Sequence, residues 1–151
     1  MTENSIKSEQ FESYSEDETK EIAAKVANNL SESKILPICL KGNLGSGKTV
    51  FAKGFSEGLG IDVSNVKSPT YTYLRKYEVL GRNIYHFDYY RLEEADNLVL
   101  QELDEIIHHP NAYVLIEWPE KIEHILPKPY IEIHFEVGEN PNERIITIHH
   151  K

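Results

Sequence analysis

Ile35-Leu36-Pro37-Ile38-Cys39-Leu40-Lys41-Gly42-Asn43-Leu44-Gly45-Ser46-Gly47-Lys48-Thr49-Val50 is the stretch that decides the fold. Its first six residues form a short apolar run that reads as a buried strand, with Pro37 near the start, where a missing amide is tolerated. Beyond the loop, Val50, Phe51, Phe55 and Leu59 recur at helical spacing, and Gly60 is placed to end that helix. Between strand and helix, Gly42–Thr49 matches G-x-x-x-x-G-K-[ST] at every defined position. Glycines there let successive backbone N–H groups turn inward around an anion, in conformations a Cβ hinders. The helix start near Gly47 aims the positive end of its dipole at the same point. In such a loop Lys48 reaches the β- and γ-phosphate oxygens, and Thr49 offers its hydroxyl to Mg²⁺. Gly42, Asn43, Leu44, Gly45, Ser46, Gly47, Lys48 and Thr49 are therefore expected to cradle the phosphates of a nucleotide.

A loop of this kind needs an acidic partner for the cation, usually at the C-terminal end of a buried strand. Two carboxylates fit. Glu117 closes the apolar run Tyr113-Val114-Leu115-Ile116, and Asp88 follows Ile84-Tyr85-His86-Phe87. Guanine-reading segments of the N-K-x-D or T-K-x-D type do not occur, nor does D-x-x-G, so ATP is expected rather than GTP. Ser68-Pro69-Thr70 follows the loop helix, where many such proteins carry a switch segment; an ordinary proline turn is the alternative reading.

Further out, Ser15-Glu16-Asp17-Glu18 reads as a capping box, followed by a helix with Ile22, Val26 and Leu30 on one face and an end near Ser31–Lys34. Thr70–Val79 and Asn83–Tyr90, separated by Leu80-Gly81-Arg82, carry a hairpin signature. Glu93–His108 is an acidic amphipathic helix. Tyr130–Val137 and Arg144–His149 alternate apolar and polar residues and form a second hairpin with one face open to water. The sum is an α/β protein, a P-loop NTPase-like three-layer sandwich with a mixed, partly antiparallel sheet. At 151 residues, one domain over 13–151 is expected, with 1–12 polar and flexible.

Composition narrows the partners. Twenty-five Asp and Glu outnumber sixteen Lys and Arg, for a net charge of −9. A protein that grips nucleic acid alone usually presents a basic face. Strong direct binding of RNA or DNA is thus disfavoured; Lys67, Arg75, Lys76, Arg82 and Arg91 would be the material of a local basic patch. Cys39 is the sole cysteine, which excludes an intramolecular disulfide and fits a reducing compartment. The opening Met1-Thr2-Glu3-Asn4 is polar, and no stretch reaches the ~20 apolar residues of a bilayer span. A cytoplasmic protein without membrane contact is expected.

Four segments together resemble one family: the Gly42–Thr49 loop, Val66-Lys67-Ser68-Pro69-Thr70-Tyr71-Thr72, Tyr85-His86-Phe87-Asp88-Tyr89-Tyr90-Arg91-Leu92, and Ile116-Glu117-Trp118-Pro119-Glu120. In order, spacing and length they are similar to TsaE, the small bacterial ATPase of tRNA threonylcarbamoyladenosine (t6A) synthesis. The resemblance runs from about Ser15 to the C-terminus. It implies a slow ATP hydrolase that works with the TsaB and TsaD proteins, meets tRNA only through them, and by hydrolysis resets their complex between turnovers. It further implies that Thr49 and Glu117 hold Mg²⁺ and that Lys48 and the loop amides bind phosphates. Asp88 and Thr70 then belong to the hydrolytic or switch apparatus, Trp118 shapes the site edge, and Glu16 and Thr19 approach the nucleotide base.

The remaining polar clusters are less telling. His108-His109 and His149-His150 are adjacent pairs whose side chains diverge, so no structural metal site is expected from them. His86 lies two residues before Asp88, on the same strand face, and reads as core packing or as part of the site. The tyrosines 71, 73, 77, 85, 89 and 90 read as packing between paired strands and a helix. A small-molecule kinase is the main functional alternative, though only four arginines (Arg75, Arg82, Arg91, Arg144) are available and no insertion is long enough for an obvious lid. A nucleotide-sensing module without turnover is the third.

Overall fold

The structure, a computed structural model, describes residues 8–31, 35–62, 73–79 and 81–151. Its strands are β1 (Ser8–Ser13), β2 (Ile38–Lys41), β3 (Leu74–Val79), β4 (Arg82–Asp88), β5 (Ala112–Glu117), β6 (Ile131–Val137) and β7 (Arg144–His150). Its α-helices are α1 (Glu16–Ser31), α2 (Lys48–Gly58) and α3 (Asn97–Ile107), and two 3₁₀ turns, Pro119–Lys121 and Glu123–Ile125, follow β5. All strands join one sheet in the order β1-β7-β6-β2-β5-β4-β3. The inner strands β6, β2, β5 and β4 run parallel, while β3, β7 and β1 are added antiparallel at the flanks.

Parallel strands buried on both faces read as continuous apolar runs, and β5 is buried along its whole length. One face of the sheet carries Ile38, Leu40, Tyr113, Leu115, Ile131, Ile133 and Phe135 against α1 and α2. The other carries Cys39, Phe87, Val114 and Ile116 against Val99 and Leu103 of α3. The result is the expected α/β sandwich of three layers. Phe51 and Phe55 of α2 are fully buried and meet Phe135 and Tyr113 edge-on, with ring centroids 5.4 and 6.0 Å apart. Burying each such side chain stabilises the fold by roughly 1.5–3 kcal/mol.

The helices α1 and α2 touch backbone to backbone. A Cβ on Gly54 would lie 2.4 Å from Lys20 Cα, and one on Gly58 would lie 2.7 Å from Ala24 Cα. Only glycine permits that separation, and it brings the starts of both helices to the same end of the sheet.

Several expectations need correction. Residues 8–12 are not loose: Ser8–Ser13 is an edge strand paired along β7 from Ser8↔His149 to Ser13↔Arg144. Its composition hid this, because backbone pairing and one inward apolar residue, Phe11, hold it. The helix expected from Glu93 starts four residues later, where the Asp96 carboxylate caps it by accepting from Val99 N at 3.0 Å. The strand before the phosphate loop, β2, begins at Ile38 rather than Ile35. The capping box of α1 forms with one arm displaced: Glu18 N donates to Ser15 Oγ at 3.1 Å, but the Glu18 carboxylate accepts from Tyr14 N at 2.8 Å.

Candidate functional site

The C-terminal ends of β2, β4 and β5 meet the starts of α1 and α2 around a cleft of about 310 Å³. Crevices at this end of an open α/β sheet are where ligands bind. Lining it are Glu16 and Thr19 from α1; Gly45, Lys48 and Thr49 from the loop and α2; and Asp88 and Glu117 from the strands. Residues up to 129 positions apart in the chain thus face one space, from Ser15 to Arg144.

The loop has the conformation its glycines predict. Gly45 and Gly47 take φ of 77° and 105°, and Gly47 serves as the residue before α2. Ser46 is buried, and its hydroxyl finds no partner among the described residues. Lys48 is buried as well. Its ammonium donates to Gly42 O at 2.6 Å and lies 3.5 Å above the centre of the Trp118 ring. Burial pulls its pKa below the usual lysine value, against the opposing pull of Glu117, Asp88 and Glu120. A cation held by one carbonyl and one aromatic face, with no carboxylate in contact among the described residues, is placed to meet an incoming anion.

Glu117 is only 3% exposed. Its Oε1 accepts from Thr49 Oγ1 at 3.3 Å, and its Oε2 meets His86 Nε2 at 2.5 Å. Asp88 pairs with Glu117 in the β4–β5 register, and its carboxylate accepts from Tyr90 N at 3.1 Å. Of the two acids left open by the sequence, Glu117 is therefore the one beside Thr49. Oxygen donors from a hydroxyl and one or two carboxylates are the sparse set that Mg²⁺ takes when phosphates and waters complete its shell. The residues present fit that ion.

Trp118 follows Glu117 in a left-handed conformation, φ 57° and ψ 58°, which turns its ring back over Lys48 and against Tyr90, centroids 4.9 Å apart. Such a conformation is uncommon for a bulky residue and clusters at functional sites. Thr19 lines the cleft, and its hydroxyl shares a 2.7 Å hydrogen bond with Ser13. Asn43 and Leu44 sit exposed at the loop tip, and Leu44 also lines the cleft. Thr70, with the rest of Val66–Thr72, lies outside the described residues.

Sequence reasoning missed the contribution of the last hairpin. Arg144, at the start of β7, donates from its guanidinium to Gly45 O at 3.0 Å and to the carbonyls of Pro141 and Glu143 at 2.5 and 3.0 Å. With Asn142 it forms one wall of the cleft. Nothing local marks Arg144, because the contact joins residues 99 positions apart. His86 is buried as the packing reading requires, but its packing is a polar contact to the site itself.

Comparisons with known proteins point to one family. A family model described as "Threonylcarbamoyl adenosine biosynthesis protein TsaE" matches residues 13–146. The tRNA threonylcarbamoyladenosine biosynthesis protein TsaE of Bacillus subtilis is 41% identical over 118 residues, 78% of this chain and 70% of that protein. The protein of the same name from Rickettsia prowazekii is 36% identical over 135 residues, 89% of this chain and 90% of that one, and that from Haemophilus influenzae is 37% identical over 113 residues, 75% and 70% of the two chains. The crystal structure of Bacillus subtilis YdiB superposes with a TM-score of 0.74 at 32% identity, covering 96% of this chain and 86% of that one. A match to the family model from the α1 cap to the inner half of β7 takes in every wall of the cleft, and with it the conclusion is direct: this chain belongs to the TsaE family of threonylcarbamoyladenosine biosynthesis proteins.

Proposed function

We propose that the chain binds Mg·ATP in the cleft between α1, α2 and β5 and hydrolyses it in support of t6A modification of tRNA, acting on a complex of TsaB and TsaD homologues. One observation carries this reading: Lys48, Thr49, Asp88 and Glu117 converge on one cleft behind a loop whose glycines hold left-handed turns. Lys48 and the loop amides bind the phosphates. Thr49 and Glu117 hold the cation, which when bound shields phosphate charge and polarises the γ-phosphoryl group. Asp88 lies at the end of β4 on the cation side of the cleft, placed to orient a water. Glu16 and Thr19 supply the opposite wall for the base or ribose. Thr70 belongs to this apparatus by family resemblance.

The division of labour with partners rests on charge. At −9 the chain is a poor grip for tRNA, so partners hold the RNA and this protein acts on them. A cytoplasmic setting follows from that role, and no described helix is long and apolar enough to cross a membrane.

Calorimetry with Mg·ATP tests the binding claim, and phosphate release with and without purified TsaB and TsaD homologues tests the rest. Lys48→Ala is expected to weaken ATP binding by at least about tenfold and to abolish hydrolysis. Turnover at the wild-type rate in that variant would show the loop is not the site. Partner-stimulated release supports the proposal; phosphate appearing only on an added small acceptor would make the protein a kinase, and binding without turnover a sensor.

A further inference from the structure

His86 is 5% exposed and faces the α1–α2 side of the sheet, on which its neighbours on β4 and β5 are Ile84, Tyr113 and Leu115. An apolar side chain would fill that place without the cost of burying an imidazole, which is tolerated only when its nitrogens find partners. The partner here is the Glu117 carboxylate, 2.5 Å from Nε2. An ionised carboxylate only accepts, so Nε2 carries the proton and donates.

Glu117 needs that donor. It lies at a strand end with no ammonium or guanidinium in ion-pair contact among the described residues, since Lys48 is bonded to Gly42 O instead. Its two oxygens have separate duties, Oε2 toward His86 and Oε1 toward Thr49. Beside them a cavity of about 40 Å³, lined by Thr49, His86, Asp88 and Glu117 among others, has room for one water-sized occupant. Rotation of the carboxylate would carry Oε1 away from Thr49, and the bond to the β4 imidazole opposes it.

We propose that His86 is a positioning residue: it fixes the Glu117 carboxylate so that one oxygen stays beside Thr49, and thereby sets how tightly the site takes a divalent cation together with a nucleotide. The inference rests on the cation site proposed above. Outer partners of this kind typically govern metal affinity by about 10–100-fold while leaving other contacts of the ligand alone.

The test is calorimetric titration with ADP, in Mg²⁺ and in EDTA, of the full chain and three variants. Wild-type protein is expected to bind ADP more tightly with Mg²⁺. His86→Leu should keep the EDTA affinity within about twofold while the Mg²⁺ concentration for half-maximal enhancement rises at least about tenfold. His86→Gln, whose amide nitrogen reaches the Nε2 position, should restore most of the Mg²⁺ response, whereas His86→Asn, one carbon shorter, should not. Should the leucine variant fail to fold, the Gln–Asn contrast decides. Equal Mg²⁺ response in Gln and Asn variants, or a loss of EDTA affinity as large as the loss with Mg²⁺, overturns the inference. Wild-type protein that binds no ADP, or binds it regardless of Mg²⁺, overturns the cation site and this inference with it. A normal wild-type response beside an unchanged leucine variant overturns the inference alone.

Discussion

Glu117 at the end of β5 and Glu132 on β6 are both buried, 3% and 5% exposed, and each meets a histidine nitrogen, His86 at 2.5 Å and His134 at 2.6 Å. Their remaining surroundings differ. Glu132 also has the Lys41 ammonium at 3.3 Å, and Lys41 in turn pairs with Glu123, so a cation is built into this network on the α3 side of the sheet. His134 is 40% exposed and opens that network only to solvent. Burial alone would raise the Glu132 pKa, but the His134 bond and Lys41 outweigh it and hold the carboxyl below its usual value. Glu117 has a hydroxyl where Glu132 has an ammonium, and it faces a cleft. A buried carboxylate whose cation is built in stabilises a fold; one whose cation is left out is placed to recruit one.

That contrast can be broken at either glutamate. The largest effect is expected from Glu117→Gln, which keeps the volume and the Thr49 contact but removes the charge. Hydrolysis should fall at least about 100-fold, more than about 2.7 kcal/mol of transition-state stabilisation. The urea midpoint should hold or rise, because an unbalanced buried charge has gone. If Glu117→Gln unfolds instead, Glu117 is structural and the two regions are alike. Lys41→Met should show the reverse profile, losing about 2 kcal/mol of stability with ADP affinity unchanged, since it strands Glu132 without its cation. Equilibrium urea unfolding beside an ADP titration reads both quantities.

The smallest effect is in pH. Because the folded pKa of Glu132 is lowered, the unfolded chain binds its proton first, and stability falls as acid is added. The contribution is full above the unfolded carboxyl pKa of about 4.3 and is lost as pH drops through the lower folded value. Urea midpoints between pH 3 and 7 should therefore fall less steeply on the acid side in Glu132→Gln than in wild type. Equal slopes would remove Glu132 from the acid limb.

The two glutamates also mark what a sequence can disclose. Glu117 was legible because an apolar run ending in an acid, downstream of a phosphate loop, is a linear pattern; so was the loop, where eight adjacent residues carry the whole geometry. Glu132 and His134 alternate with isoleucines on a strand and read only as its wet face, since their partner Lys41 comes from another element. Arg144 and Asn142 escaped for the same reason, lying on a hairpin that folds back onto Gly45. The edge strand β1 was missed because backbone pairing, which leaves no trace in composition, is most of what holds it. The α3 boundary went to Asp96 over Glu93 because a side-chain cap outweighs the acidity of the preceding turn.

The glycine contacts between α1 and α2 carry a consequence for the cleft as a measuring device. With Gly54 against Lys20 and Gly58 against Ala24, the two helices cannot approach more closely, and sliding past one another would bring residues larger than glycine into the contact. Thr19 and Thr49 ride on that pair like the jaws of a gauge, and the glycine contacts set the least span between them. Among the described residues, the opposite rim is formed by Trp118, Tyr90 and the hairpin bearing Arg144. Ligands would be sorted by length against the jaws first, and only then by what folds down upon them.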